Sequence, residues 1–181
     1  MSRNYKFHNP EGLYFISFAT VYWLDIFIRG LYADCIIKNL NYCVAKKGME
    51  IYGWCLMTNH IHLIFKSNQQ KPEELIRDFK SFTAKELISL ITNNPQESRK
   101  KWLLNAFKKA AQTNSNNTNN QFWQQHNKPI ELWSLSVIDQ KMDYIHNNPV
   151  EAGFVEQPWH WKYSSAKDYC NEKGLVTLCL V

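Results

Sequence analysis

Two histidines, His60 and His62, stand one residue apart in a run whose composition predicts a β-strand. Because side chains alternate along a strand, both imidazoles would project from the same face, about 6 to 7 Å apart along the backbone. Two neighbouring imidazoles can share one divalent cation. So short a pattern also arises by chance on a half-solvated strand, so the pair indicates a metal site only if a second feature supports it.

A second candidate pair, Tyr144 and Asn148, lies in the run Tyr-Ile-His-Asn-Asn-Pro-Val. On a helix these two residues share a face, which would bring a phenol and an amide oxygen to one site. A phenolic oxygen can act as a nucleophile, and an amide oxygen can complete a metal shell. The alternative is a tyrosine packed on the core and an asparagine that caps the helix end. His146 lies on a different helix face from Tyr144, so a surface role is an alternative to proton transfer or phosphate contact.

The rest of the sequence predicts the elements that must position these side chains. Stretches rich in β-branched and aromatic residues predict strands, and apolar residues at helical spacing predict helices. We expect strands at 13–23, 50–57, 60–66 and 129–136, and helices at 32–47, 72–91, 99–111 and 137–147. Thr58 and Asn59 suit a tight hairpin turn, and Pro149 is expected to end or kink the last helix. The polar segment 112–121 is expected to be a mobile loop.

This order of elements predicts an α+β fold of the ferredoxin-like type, an antiparallel sheet with helices packed on one face. The length of 181 residues predicts one domain over 1–181, with an accessory tail at 170–181. The formal net charge of +5 suits a polyanionic partner without proving one. Five cysteines without a C-x-x-C pair indicate reduced thiols rather than disulfides or a zinc site. With no signal peptide or membrane span, we expect a cytoplasmic protein.

Three motifs in order give a resemblance to a known family. The first is Met57-x-Asn59-His60-Ile61-His62, and the second, Tyr-Ile-His-x-Asn-Pro-Val-x-Ala-Gly, begins about eighty residues later at Tyr144. The third is Trp-Lys-Tyr-Ser-Ser at 161–165. Together they resemble the HUH single-tyrosine transposases, also called IS200-like transposases, and most closely the branch of REP-associated tyrosine transposases (RAYT). The resemblance runs from about Tyr14 to Tyr169.

The resemblance implies a ferredoxin-like or RRM-like catalytic domain with a C-terminal helix that carries the catalytic tyrosine. Such enzymes cut and rejoin single-stranded DNA at hairpin (REP-like) elements through a 5′-phosphotyrosine intermediate. Carried over residue by residue, His60 and His62 would bind Mg²⁺ or Mn²⁺, Asn148 would be the third ligand and Tyr144 the nucleophile. No nucleotide cofactor is expected. The family usually has proline at the position of Thr58, a departure that bears on the turn and not on the ligands.

The DNA partner would be single-stranded or hairpin DNA, bound by basic side chains and stacked on exposed aromatic rings. The candidate basic residues are Arg77, Lys80, Lys85, Arg99, Lys100, Lys101, Lys108 and Lys109. The candidate stacking residues are Phe122, Trp123, Trp133, Trp159 and Trp161, most of which are expected in the core.

Two other functions stay open at this point. The chain could be a non-catalytic regulator, derived from a transposase, that binds hairpin DNA without cutting it. It could also be a metal-dependent nuclease that uses water instead of Tyr144. The complete set of His60, His62, Tyr144 and Asn148 favours the transposase, because a pure binder has no need of metal ligands facing a phenol. Relatives include both monomers and homodimers.

Overall fold

The computed structural model describes residues 6–113 and 119–179, and the element order matches the one expected from the sequence. The strands are β1 (Tyr14–Ala19), β2 (Met49–Leu56), β3 (His60–Ser67) and β4 (Ile130–Glu131). The helices are α1 (Gly30–Lys47), α2 (Pro72–Asn93), α3 (Lys100–Gln112) and α4 (Leu135–Glu151). Short helical turns cover Val21–Trp23, Pro158–His160 and Ser165–Cys170. Among these helices none is long and apolar enough to cross a membrane.

The strands form one antiparallel sheet in the order β2-β3-β1-β4, which confirms the ferredoxin-like α+β fold. β3 is central and pairs with β1 on one side and with β2 on the other. His62 is paired with Ser17 of β1 and with Cys55 of β2. β3, which carries both histidines, is therefore hydrogen-bonded to a neighbouring strand on each side, and this limits the movement of its backbone.

The two faces of the sheet carry different cores. Ile16, Ile61 and Leu63 point into the larger core, which they share with α1, α2 and α3. Residues of opposite parity, among them Phe15 and Ile64, form the smaller core together with α4. Because His60 and His62 share parity with Ile64, the alternation of the strand directs them to the α4 face. Three helices thus pack on one face, and α4 covers the other together with Trp161 of the C-terminal segment.

Gly53 explains how closely α4 approaches the sheet. A Cβ atom at this position would lie 2.5 Å from Met142 Sδ and 3.0 Å from Ile145 Cδ1, both on the inner side of α4. The register between β2 and β3 shifts between Ile51 and Gly53. A larger residue would push the helix outward, so Gly53 helps to set the height of the tyrosine helix above β3.

Several predicted boundaries were wrong, each for a local reason. β1 ends at Ala19, because Tyr22 and Trp23 take positive φ angles of 54° and 55° that no strand accommodates. β4 is only two residues long, since Ser134 caps α4 by accepting a hydrogen bond from the Val137 amide.

The expected break at Pro149 does not occur, and α4 continues through the proline to Glu151. A proline removes one backbone donor and disfavours helical geometry in the residue before it, but here it falls in the last turn. The Ala152 amide still bonds to the Asn148 carbonyl, and the Phe154 amide bonds to the Pro149 carbonyl. Asn148 consequently keeps a helical position on the same face as Tyr144.

Two predicted segments lie partly outside the described residues. In the predicted loop 112–121, Gln112 belongs to α3, residues 114–118 are outside the description, and the Gln121 amide bonds to the Phe107 carbonyl. The tail 170–181 is described as far as residue 179. It packs on the domain, because Val176 is buried in the larger core and the Cys179 amide bonds to the Ile51 carbonyl.

Candidate active site

The two imidazoles of β3 face a common point. The Nε2 atoms of His60 and His62 lie 3.1 Å apart, and the ring centroids are 4.7 Å apart. His62 is buried and His60 is half-buried. The strand alternation predicted that the rings share a face, and their side chains turn the same nitrogen of each ring inward.

His60 is oriented by the turn that precedes it. The Asn59 Oδ1 atom lies 2.7 Å from His60 Nδ1, and Asn59 Nδ2 donates to Asp25 Oδ1 at 2.9 Å. Because the Nδ2 of Asn59 donates to Asp25, the Oδ1 atom of Asn59 faces His60 as an acceptor. The Nδ1 of His60 therefore carries the proton, and its Nε2 keeps a free lone pair. Thr58 Oγ1 donates to the same Asp25 oxygen at 2.6 Å. The threonine that replaces the family's usual proline therefore helps to hold the turn.

Both histidines have pKa values below the ordinary value of an imidazole. Burial lowers the pKa of His60, and a hydrogen bond with the Asn148 side chain opposes this shift. Burial lowers the pKa of His62 to about 3, and electrostatic interaction with the neighbouring His60 and Lys141 side chains adds to this shift. A neutral imidazole has a free lone pair, which is the form that binds a metal ion.

Tyr144 and Asn148 approach this pair from α4. The Tyr144 ring centroid lies 5.3 Å from that of His62 and 6.0 Å from that of Phe15. Met142 and Ile145 are buried against the sheet, which directs Tyr144 to the edge of the histidine pair with 42% of its surface exposed. The phenol is thus accessible to solvent. The four residues singled out from the sequence lie close together.

The donor atoms fit a divalent cation. Two nitrogens each about 2.1 Å from one ion, at roughly a right angle, would be separated by about 3 Å, and the two Nε2 atoms are 3.1 Å apart. Across residues 6–113 and 119–179 no three His, Cys, Asp or Glu side chains form a metal-binding group. A third protein ligand would therefore have to be of another type, and the Asn148 amide, which contacts His60, is suited to that role.

Lys141 is a site residue that the sequence interpretation missed. Its Nζ atom lies 5.6 Å from the centre of the Tyr144 ring and 5.2 Å from that of Phe15. The available signal was its spacing, since a residue three positions before Tyr144 shares its helix face. A cationic side chain therefore lies beside the phenol.

His146 is directed away from the site. Its Nε2 atom lies 2.8 Å from Ser165 Oγ, and its ring packs 5.3 Å from that of Tyr169. Burial lowers the pKa of His146 to about 4, against the opposing charge of Asp143. Its contacts join α4 to the C-terminal segment, so the alternative of a proton shuttle beside Tyr144 is not supported.

Two of the predicted DNA-binding residues are engaged inside the protein. Lys80 donates to the Gln124 carbonyl at 2.6 Å and to Asn127 Oδ1 at 2.7 Å, and burial lowers its pKa to about 7. Arg99 donates to the Asp25 carbonyl at 2.8 Å and pairs with Glu97 at 3.1 Å. These two side chains hold loops in place and are poor candidates for DNA contact. Lys100 is half-exposed. The exposed candidates are Arg77, which pairs with the neighbouring Asp78, and Lys85, Lys101, Lys108 and Lys109.

The ion pairs of Glu97 predict an acid-dependent loss of stability. Burial would raise the pKa of Glu97, but bonding to Arg99 and Arg29 outweighs it and lowers that pKa to about 2. A carboxylate with a lowered pKa stabilises the fold above its unfolded pKa near 4, and this contribution is lost as the pH falls toward 2. We expect Glu97→Gln to lower the free energy of unfolding at pH 7 by about 2 kcal/mol, discounted for the partly exposed arginines. Urea unfolding of both proteins between pH 7 and pH 2 should show this difference shrinking in acid, and a constant difference would contradict it.

The predicted stacking residues divide between core and surface. Phe122 and Trp123 are buried, and Trp123 Nε1 donates to Thr83 Oγ1 at 3.0 Å, so neither can stack on DNA. The Trp161 ring stacks on Phe154 at 5.3 Å. Trp133 is widely exposed and Trp159 moderately so. Tyr22 and Trp23 are also exposed, although the sequence assigned them to the end of a strand.

Comparison with known proteins gives the family of the chain. The family model described as "Transposase IS200 like" matches residues 18–148. The solved structure of a REP-associated tyrosine transposase bound to a REP hairpin superposes with a TM-score of 0.64 at 15% identity, over 99% of this chain and 92% of that one. A candidate transposase from Deinococcus radiodurans R1 gives a TM-score of 0.46 at 16% identity, over 81% of this chain and 95% of that one. No curated protein matches. Since the family model spans more than half of the sequence, the chain belongs to the IS200-like transposase family.

Proposed function

We propose that this chain cleaves and rejoins single-stranded DNA at a hairpin-bearing element, with Tyr144 as the nucleophile. The observation that carries the proposal is the contact of the Tyr144 ring with His62, 5.3 Å between centroids, beside two Nε2 atoms 3.1 Å apart. A phenol exposed beside a pair of imidazoles suits attack on a phosphodiester. The same contacts have no evident use in a protein that only binds DNA.

In the proposed reaction the Tyr144 oxygen attacks phosphorus and loses its proton, the bond from phosphorus to the 3′-oxygen breaks, and that oxygen takes up a proton. The products are a 5′-phosphotyrosine and a free 3′-OH. Because the phosphodiester is exchanged and not hydrolysed, a 3′-OH can later attack the phosphotyrosine and restore a continuous strand without ATP. Lys141, near the Tyr144 ring, would offset the negative charge of the incoming phosphate.

His60, His62 and Asn148 would hold a divalent cation. The chemistry that a bound cation supplies here is neutralisation and orientation of the scissile phosphate. Of Mn²⁺ and Mg²⁺, Mn²⁺ fits better, because Mg²⁺ is ordinarily bound through oxygen ligands and two of these donors are nitrogens. The proposal applies equally to a monomer and to a homodimer.

Hairpin DNA is the proposed partner for two reasons. The net charge of +5 suits a polyanion, and the similarly folded REP-associated transposase was solved with a REP hairpin. Exposed lysines on α2 and α3 are the remaining candidates for phosphate contact.

The direct test is formation of a covalent adduct. Purified protein is mixed with Mn²⁺ or Mg²⁺ and labelled single-stranded hairpin DNA from beside its own gene, and the products are resolved under denaturing conditions. We expect a labelled protein band that EDTA prevents. Tight binding with neither adduct nor cleavage would favour the hairpin-binding regulator, and cleavage without an adduct would favour a nuclease that uses water.

The hydrogen bond from the turn to His60 predicts a role for Asn59 in metal affinity. Asn59→Ala removes the acceptor at 2.7 Å that keeps the proton on Nδ1 of His60. Loss of such an orienting partner ordinarily lowers metal affinity or activity by 10- to 100-fold, so we expect about that decrease in Mn²⁺ affinity by titration calorimetry. Thr58→Val is the matched control, because it removes a neighbouring hydrogen bond to Asp25 and leaves the contact of Asn59 with His60 in place. Equal losses in both variants would mean that the turn, not the orientation of His60, matters.

A further inference from the structure

Two consecutive exposed aromatic residues, Tyr22 and Trp23, have a strained backbone conformation, and the Trp23 ring contacts His60 of the histidine pair. Tyr22 and Trp23 have φ angles of 54° and 55°, a left-handed conformation that bulky residues seldom adopt. Their side chains are 53% and 57% exposed, so burial in the core does not compensate for the strain. Strained residues at a candidate active site are a reason to look for a function.

The surrounding structure holds this turn firmly. The Val21 amide bonds to the Phe122 carbonyl at 2.8 Å, and the Trp23 amide bonds to the Thr20 carbonyl at 3.2 Å. Thr20 Oγ1 donates to the Leu24 carbonyl at 2.9 Å. Asn59, which orients His60, also donates from Nδ2 to the Trp23 carbonyl at 3.3 Å. The aromatic turn is therefore tied to the same residue that positions the first histidine.

The ring contacts run in the order Trp23, His60, His62, Tyr144. The centroids of Trp23 and His60 are 5.6 Å apart, those of His60 and His62 4.7 Å, and those of His62 and Tyr144 5.3 Å. The phenol and the indole thus contact different members of the histidine pair. A phosphate held at the pair would have the nucleophile on one side and an exposed indole on the other.

We propose that Tyr22 and Trp23 form a stacking site for an unpaired base of the DNA strand next to the scissile phosphate. This inference rests on the function proposed above and adds a subsite to it. Base-on-aromatic stacking tolerates any sequence, because every base has a π-face. In an in-line displacement the leaving oxygen departs opposite the attacking one. The stacked base therefore belongs to the nucleotide that keeps the 3′-oxygen, and the stack retains that end for rejoining.

The test measures binding, not cleavage, so it can be read even if the protein forms no adduct. The probes are fluorescein-labelled dT10 and a matched strand of ten abasic sites, which keeps the phosphates and lacks the bases, both in EDTA. The wild type should bind dT10 more tightly than the abasic strand. Tyr22→Ala and Trp23→Ala should weaken dT10 binding about tenfold and leave abasic binding unchanged. Trp23→Phe, which keeps an aromatic ring, should keep most of the difference in affinity between dT10 and the abasic strand.

Two controls separate stacking from folding. Tyr42→Ala removes a tyrosine of nearly equal exposure, 54%, from α1 on the opposite side of the sheet, and should leave dT10 binding unchanged. Tyr22→Gly relieves the left-handed strain, so its unfolding temperature should be no lower than that of wild type while dT10 binding still falls. The proposal would be overturned if the wild type did not bind dT10 more tightly than the abasic strand. It would also be overturned if the variants lost affinity for both strands equally. Where cleavage is measurable, Trp23→Ala should lower rejoining more than cleavage. An unchanged ratio of rejoining to cleavage would show that the stacked base does not belong to the nucleotide that keeps the 3′-oxygen.

Discussion

Tyr144→Phe should abolish the covalent adduct while leaving the fold and DNA binding intact. The substitution removes one oxygen from a side chain that is 42% exposed and keeps the ring that contacts His62 and Phe15. Without the nucleophilic oxygen no phosphotyrosine can form, so adduct and rejoining should fall by about 10³-fold or more, to below detection. Denaturing gels of wild type and variant with labelled hairpin DNA and Mn²⁺ measure this.

Tyr169→Phe provides a matched control for that result. Tyr169 has almost the same exposure, 41%, and its hydroxyl donates to the Tyr52 carbonyl at 2.6 Å, away from the histidine pair. It should form the adduct at the wild-type level. If Tyr144→Phe still cleaves DNA, water is the nucleophile and the transposase mechanism is wrong for this chain. If Tyr169→Phe loses the adduct and Tyr144→Phe keeps it, the nucleophile has been misassigned.

His60→Ala should remove both the response to Mn²⁺ and the adduct. It deletes one of the two Nε2 donors that lie 3.1 Å apart, and no cluster of His, Cys, Asp or Glu within the described part of the chain could replace it. Changes in groups that merely orient a ligand cost 10- to 100-fold, so loss of the ligand itself should cost at least about 100-fold in Mn²⁺ affinity and in adduct formation. The readouts are the rise in unfolding temperature with Mn²⁺ and the adduct yield.

His146→Gln is the control for a histidine near Tyr144 in the sequence but outside the site. Its ring contacts Ser165 and Tyr169, so the variant should unfold more easily while its response to Mn²⁺ stays that of wild type. A wild-type response to Mn²⁺ in His60→Ala would contradict the proposed metal site. If His146→Gln loses the response to Mn²⁺ without losing stability, His146 takes part in metal binding and the assignment made here is wrong.

Local patterns predicted the content of each element because they depend on neighbours in the sequence. The two-residue period of a strand placed His60 and His62 on one face of β3. The helical spacing of Tyr144 and Asn148 placed these two residues on one face of α4. Strand and helix order likewise followed from composition and periodicity. Boundaries were less predictable. The apolar run through Trp23 has strand composition but turns at Tyr22, whose two neighbours Val21 and Trp23 bond to the distant Phe122 and Asn59.

Burial of charged side chains could not be predicted from their spacing. Lys80 has the sequence context of an exposed helical lysine, yet it is enclosed because the distant segment 124–127 folds over it. Arg99 is drawn inward by Glu97 and by the Asp25 carbonyl in the same way. A periodic pattern identifies the polar face of a helix but not the loop that covers it, because such contacts join residues far apart in the chain.

The amino-acid sequence alone determined the order of the elements, the shared face of the histidine pair and the residues suited to the chemistry. Only the tertiary structure decided that α4 packs on the sheet face to which those histidines point, with Gly53 allowing its close approach. It also decided that Asn59, which Asp25 holds in place, and Trp23 contact His60, and that His146 is directed elsewhere. The physical reason is that periodicity assigns side chains to the faces of an element, whereas the packing of the whole chain selects which faces meet.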